Sequence, residues 1–100
     1  MIHVIAIITT QAQKRAEVLD EFLKIVPLVH AEDGCIEYLP VTDADNAGAI
    51  QTALGPDAYM VIEKWASMDA LNAHSVSSHM AEYVKKVGHL IAGRVIHVLS

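Results

Sequence analysis

The fold of this chain is decided by residues 59–83, which read YMVIEKWASMDALNAHSVSSHMAEY. The β-branched and aromatic residues of Tyr59–Trp65 predict a β-strand. Ser67 is a favourable helix N-cap, so a first helix is expected over Ser67–His74. The polar stretch Ser75–Ser78 interrupts that helix, and a second one is expected over Ser78–Ala92. The segment therefore predicts a strand and two helices, with a histidine on either side of the helix–helix junction.

Outward from this segment, the sequence supplies three more strands and one long helix. Apolar residues at helical spacing predict a helix from Lys14 to Glu32, which Asp33-Gly34 should end. Gly, Pro and Asp residues make 43–57 a predicted loop. The other predicted strands are Ile2–Thr9, Cys35–Thr42 and Arg94–Leu99. This order is a split βαβ pattern, which predicts an α+β, ferredoxin-like fold with a four-stranded antiparallel sheet, in a single domain of residues 1–100.

The composition predicts that both faces of this sheet are covered. Hydrophobic residues make up 53% of the chain, and the mean hydropathy of +0.34 is high for a small domain. Helices can cover one face only, so the other is expected to pack against a second copy. The expected assembly is a homodimer, a dimeric α/β barrel.

Charge and sequence motifs exclude several classes of partner. The net charge is −5 and the seven Lys and Arg residues are scattered, which argues against nucleic acid. No run approaches the roughly 18 apolar residues of a membrane span, so no membrane partner is expected. The first residues do not resemble a signal peptide, which predicts a cytoplasmic protein. The six histidines show no HxH or HExxH spacing, so no metal site is predicted.

Several motifs resemble those of a known family. They are Glu63-x-Trp65, Ser67-x-x-Ala70-x-x-Ala73-His74, Ser78-His79-Met80 and Glu32-Asp33-Gly34-Cys35. With these motifs in this arrangement, nearly the whole chain resembles the antibiotic biosynthesis monooxygenase family of dimeric α/β-barrel proteins. Within that family it is most similar to the branch of small bacterial quinol monooxygenases.

The resemblance implies a homodimer with one pocket per subunit, between the sheet and the helices. It also implies oxidation of polycyclic phenols or hydroquinones by O₂ without metal, flavin or haem, so no cofactor is expected. Some members of the family degrade haem and use an Asn on the first strand. Ile2–Thr9 contains no Asn, so haem degradation of that kind is not expected.

Oxygenation without a cofactor requires a base that removes a phenolic proton and a dry, flat slot that holds the anion. Imidazole is the natural base near neutral pH, which makes His74 and His79 the candidate catalytic residues. On one continuous helix the two would point in different directions, so they converge only if the Ser75–Ser78 break reorients one of them. The expected substrate-binding residues are Trp65, Tyr83, Tyr38 and Met60.

Each candidate also has a structural explanation. Trp65 suits the core or a dimer contact, Tyr83 belongs to an apolar helix stripe that suits the core, and His74 is placed to interact with the C-terminal end of its helix. Glu63 is expected to take part in pairing within the sheet or in a salt bridge between subunits.

Two other functions fit the same residues. The first is a non-catalytic stress-response module that binds a small aromatic molecule or haem. The second is an isomerase of a small phosphorylated metabolite, which needs cationic groups in its pocket. Arg15 and Arg94 are the only arginines, and their scarcity counts against the second alternative.

Overall fold

The architecture is a four-stranded antiparallel sheet with its helices packed on one face. The computed structural model describes all 100 residues. The strands are β1 (Ile2–Thr10), β2 (Cys35–Val41), β3 (Ala58–Trp65) and β4 (Ile91–Leu99), and the helices are α1 (Arg15–His30), α2 (Met68–Ser75) and α3 (Ser78–Val87). The strands lie in the order β2-β3-β1-β4. This arrangement confirms the predicted ferredoxin-like α+β fold.

Burial alternates along β3 and separates the two faces of the sheet. Tyr59, Val61 and Trp65 are buried on the helix-covered face, while Met60 and Ile62 between them are only half-buried. The covered face packs against the apolar side of α1, where Val18 and Phe22 are almost inaccessible to solvent. No helix lies on the opposite face. The core of the chain is therefore one-sided.

The helix boundaries follow from local capping chemistry. The Ser67 hydroxyl accepts a hydrogen bond from the backbone N–H of Ala70 at 3.2 Å, which confirms the predicted N-cap of α2. Helix α1 continues through Pro27 to His30, and Gly34 then turns the chain with φ of +82°. None of the helices combines the length and the apolar character that a membrane crossing requires.

The predicted extent of the last helix is wrong. Helix α3 ends at Val87 rather than at Ala92, and a 3₁₀ turn over Gly88–Leu90 leads directly into β4. Ile91 pairs with Thr10 of β1 and so belongs to the sheet. Pairing with β1 satisfies the backbone hydrogen-bonding groups of this stretch. It therefore outweighs the apolar side-chain spacing that had predicted a helix.

Candidate active site between the sheet and the helices

A cavity of about 710 Å³ lies between the covered face of the sheet, α2 and α3. Sixteen of its 22 lining residues are hydrophobic. Its floor includes Val4 and Ala6 of β1 and Val61 of β3, and Ile96 of β4 continues the floor. The size and the apolar lining are typical of pockets that bind small organic molecules.

His74 is the imidazole at this cavity. It lies in the last turn of α2 and is 5% exposed, and its ring packs 4.7 Å from that of Trp65. Its Nδ1 lies 2.8 Å from Oε2 of Glu32. Its Nε2 makes no hydrogen bond in the chain, yet no buried side-chain nitrogen lacks a partner. Nε2 is therefore accessible to solvent, and the cavity is the space that it can face.

Glu32, in the turn after α1, brings the two candidate histidines together. Its Oε2 lies 2.8 Å from His74 Nδ1 and also 2.8 Å from His79 Nε2. An ionised carboxylate can only accept hydrogen bonds, so both imidazoles donate to it. The proton of a neutral His74 is thereby held on Nδ1, and Nε2 is left as an acceptor. The break between α2 and α3 thus makes the two histidines converge, but on Glu32 rather than on the cavity.

Glu32 was missed as a functional residue by sequence reasoning. It lies 42 residues before His74 and 47 before His79, so no local spacing connects the three. The one signal was its place in the Glu32-Asp33-Gly34-Cys35 motif, which supported the family resemblance but carried no chemical role. The same three side chains form a group of potential metal ligands, which the search for HxH and HExxH spacing did not detect.

Glu63 is a second ionisable group at the cavity. Its side chain accepts a hydrogen bond from Trp65 Nε1 at 2.9 Å, and its backbone pairs with Val4 and Tyr38 in the sheet as predicted, while the salt bridge between subunits stays a prediction. Burial raises the pKa of this carboxyl above its usual value, although the Trp65 hydrogen bond and the nearby His74 act in the opposite direction. A carboxyl in this environment is more readily protonated than one at the surface.

Three tyrosines line the cavity. Tyr38 stacks on Phe22 with ring centroids 5.3 Å apart, and the hydroxyls of Tyr59 and Tyr83 lie 3.1 Å from each other. Burial raises the pKa of Tyr38, of Tyr59 and of Tyr83. All three phenols therefore stay neutral and offer hydrogen-bonding hydroxyls rather than charge.

The predicted site residues do not all meet in one place. His74, Tyr38 and Tyr83 line the cavity. Trp65 is completely buried behind His74 and supports the site without lining it. His79 lines a separate, smaller cavity of about 260 Å³ beside α1 and α3. Met60 is on the opposite face of the sheet, because its position in β3 alternates with that of Tyr59.

Comparison with known proteins agrees with this fold. Residues 1–86 match the family described as antibiotic biosynthesis monooxygenase. The chain belongs to the antibiotic biosynthesis monooxygenase family, which confirms the resemblance seen in the sequence and places the protein among the monooxygenases. A relative in Escherichia coli K12, named probable quinol monooxygenase YgiN, is 42% identical over 89 residues, which cover 87% of this chain and 85% of that protein. The protein of the same name in Shigella flexneri is equally similar.

Solved structures share the architecture. Rv0793 of Mycobacterium tuberculosis superposes with a TM-score of 0.79 at 25% identity, covering 99% of this chain and 92% of its own. PA3566 of Pseudomonas aeruginosa gives a TM-score of 0.80 at 22% identity, and the superposition covers 98% of this chain and 90% of PA3566. The second likeness shows the fold alone.

Proposed function

We propose that the protein is a homodimeric, cofactor-independent monooxygenase that oxidises a quinol or a related aromatic phenol with O₂. The observation that carries this proposal is the Glu32–His74 pair at the edge of an apolar cavity. It supplies a base oriented by a buried hydrogen bond, next to a space of the right size for an aromatic substrate. The name of the Escherichia coli relative points to the same substrate class.

The lining of the cavity supports an aromatic substrate over a phosphorylated one. Tyr38 and Tyr83 present rings to the cavity, and Met80 adds a polarisable side chain. Arg94 is the only cationic side chain among the lining residues. A buried phosphate group is commonly held by several cationic side chains, and this lining supplies a single arginine. The isomerase alternative therefore has less support than oxidation of a quinol.

The proposed chemistry begins with proton transfer. His74 Nε2 takes the phenolic proton, and the resulting imidazolium is stabilised by the Glu32 carboxylate on Nδ1. The substrate anion then passes one electron to O₂, and the radical pair combines on a ring carbon. For a hydroquinone the balance is hydroquinone plus O₂ giving hydroxyquinone plus water. One oxygen atom of O₂ adds to a ring carbon as a hydroxyl group. The other leaves as water with two hydrogens of the hydroquinone.

The uncovered face of the sheet supports the homodimer. Ile5 and Ile7 of β1 and Ile62 of β3 lie on this face, and none of the helices packs against it. Glu37 and Lys64 are charged residues on this face, and their side chains form a 3.0 Å salt bridge with each other. A face that is apolar and locally neutral is well suited to pack against a second copy of itself.

The test is O₂ consumption by metal-free, flavin-free protein with a panel of benzo- and naphthohydroquinones. We expect saturable uptake above autoxidation and one ¹⁸O atom from ¹⁸O₂ in the hydroxyquinone. His74→Ala should lower kcat by about 10²–10⁴-fold, the usual contribution of a general base. His79→Ala removes only the second hydrogen bond to Glu32 and should cost about tenfold or less.

Two results would contradict the proposal. If ¹⁸O stays out of the product and H₂O₂ accumulates, the protein is a quinol oxidase and not a monooxygenase. If His74→Ala keeps the parent kcat while the variant remains folded, the base assignment is wrong. Tight binding of haem or an aromatic molecule with no turnover of any quinol would favour the non-catalytic binding module.

A further inference from the structure

Three side chains from separate elements present ligand atoms to one point. Glu32 follows α1, His74 lies in the last turn of α2 and His79 lies in the first turn of α3. Their ligand atoms all lie within 4.8 Å of one another, and the carboxylate oxygen is 2.8 Å from each imidazole nitrogen. Such convergence from distant parts of the sequence requires that all three elements be packed in place. The cluster is therefore a preformed feature of the fold.

We infer that Glu32, His74 and His79 form a binding site for a divalent transition-metal ion, with Zn²⁺ as the representative ion. Two imidazoles and one carboxylate are a ligand set that Zn²⁺ accepts, with the fourth position left for water. Ligand atoms around a tetrahedral Zn²⁺ lie about 3.3 Å apart, given bonds of about 2.0–2.1 Å. The two 2.8 Å contacts would open by about half an ångström to admit the ion, and the two imidazole nitrogens, which lie within 4.8 Å of each other, would settle at about 3.3 Å.

The protonation chemistry of the cluster allows a metal ion to replace the hydrogen bonds between Glu32 and the two imidazoles. In the metal-free protein each imidazole directs an N–H at Glu32. A neutral imidazole can carry its proton on either nitrogen, so transfer to the far nitrogen frees the near one for a metal. The net charge of one carboxylate and two neutral imidazoles is −1, which favours a dication. The side chain of Glu32 is 14% exposed, that of His74 6% and that of His79 20%. An ion can therefore reach the cluster from solvent, most easily past His79.

Metal binding would oppose the proposed reaction, a consequence that rests on the proposed function. With a metal on Nδ1, His74 must carry its proton on Nε2, the nitrogen assigned to accept the phenolic proton. The metal would then act as an inhibitor. The binding site itself does not depend on this consequence, because its ligand set is defined by geometry alone.

The test is calorimetric titration of tag-free, chelator-treated protein with Zn²⁺ in the absence of any quinol. We expect one ion per chain. His79→Gln should weaken binding at least tenfold, because a glutamine amide can still donate a hydrogen bond to Glu32 but is a poor ligand for Zn²⁺. His89→Ala is the matched control: it removes an imidazole that lies outside the cluster and should leave the affinity unchanged.

Thermal unfolding with and without Zn²⁺ provides a second readout. A bound ion should raise the Tm of the parent and of His89→Ala by more than that of His79→Gln at the same Zn²⁺ concentration, since a ligand that binds only the native state stabilises it according to its affinity. Absence of stoichiometric binding to the parent, or equal affinity in His79→Gln, would overturn the inference. Turnover measured in the presence of a chelator tests the proposed function separately. The metal site and the monooxygenase function can therefore be rejected independently of each other.

Discussion

At the scale of single residues, Glu32 decides how the site is organised. One of its oxygens meets both candidate histidines, so a carboxylate determines which nitrogen of His74 is free. Sequence reasoning identified both histidines from their residue type and their place beside a helix break. It could not find Glu32, because residues 42 and 47 positions apart meet only through tertiary packing.

Glu63 gives a prediction of how stability depends on pH. Its pKa in the folded protein is raised by burial above the ordinary 4.5, so between the two values the folded state binds more protons than the unfolded state. Its stabilising contribution is complete below pH 4.5 and is lost as the pH rises through the folded pKa. Glu63→Gln keeps an oxygen for Trp65 and cannot ionise. We expect this variant to have a higher Tm than the parent at pH 7.5, and the gain to shrink as the pH falls toward 4.

The control for this prediction is Glu37→Gln, which removes a carboxylate from the other face of the same sheet. Glu37 pairs with Lys64 near the surface, so this variant should not gain stability at pH 7.5. Calorimetric melting from pH 4 to pH 8 makes the comparison. A Glu63→Gln variant that is less stable than the parent at every pH would show that the buried carboxylate contributes to stability in its charged form.

At the scale of secondary-structure elements, the sequence located all four strands and all three α-helices but misplaced two boundaries, the end of α3 and the start of β4. Ser67, a hydroxyl before an apolar run, marked the start of α2 because capping is local chemistry. The end of α3 was misjudged because the apolar pattern of Ile91 suits a helix and a strand equally. Only the pairing of Ile91 with Thr10 resolves it.

Gly34 connects α1 to β2 and gives a prediction for this turn. A Cβ at Gly34 would lie 2.6 Å from the Ala70 Cβ, and its φ is +82°. Gly55 has φ of +94° with open space around it. Gly55→Ala should therefore cost about 1–2 kcal/mol from backbone strain alone. Gly34→Ala should cost about 1–3 kcal/mol more, because α2 must also move.

Urea unfolding of the two glycine variants at one protein concentration measures the difference. Gly34→Ala should also weaken the hydrogen bonds between Glu32 and the two histidines. The substituted residue lies two positions after Glu32, and its Cβ would push against α2. Equal free energies of unfolding for the two variants would mean that α2 yields to the added methyl group at no cost.

At the scale of the whole molecule, the composition predicted more apolar surface than one chain can bury. Apolar residues do occupy the sheet face opposite the helices, as the excess of hydrophobic residues suggested. Alternation along β3 places Met60 and Tyr59 on opposite faces, but it does not show which of the two faces the helices cover. A strand that is apolar on both sides has no polar stripe to identify its exposed face.

Ile62→Lys tests the proposed dimer. Ile62 lies on the uncovered face, and a lysine there would place two unpaired charges between the subunits. We expect the variant to be monomeric by analytical ultracentrifugation at concentrations where the parent is dimeric. Leu23→Lys is the control, because Leu23 is 56% exposed on α1 and should tolerate a charge. An intact Ile62→Lys dimer would mean that the subunits associate through another surface.

The central position of β1 has a consequence for the newly made chain. This strand precedes the other three in the sequence, yet its partners are β3 and β4, and His3 pairs with Leu99 of β4. Pairings so distant in sequence form slowly, because a long loop must close first. The Ile- and Val-rich β1 therefore has no permanent partner until β3 and β4 have also been synthesised. During that interval its apolar residues are open to association with other chains, so the order of synthesis leaves this strand prone to aggregation until the sheet is complete.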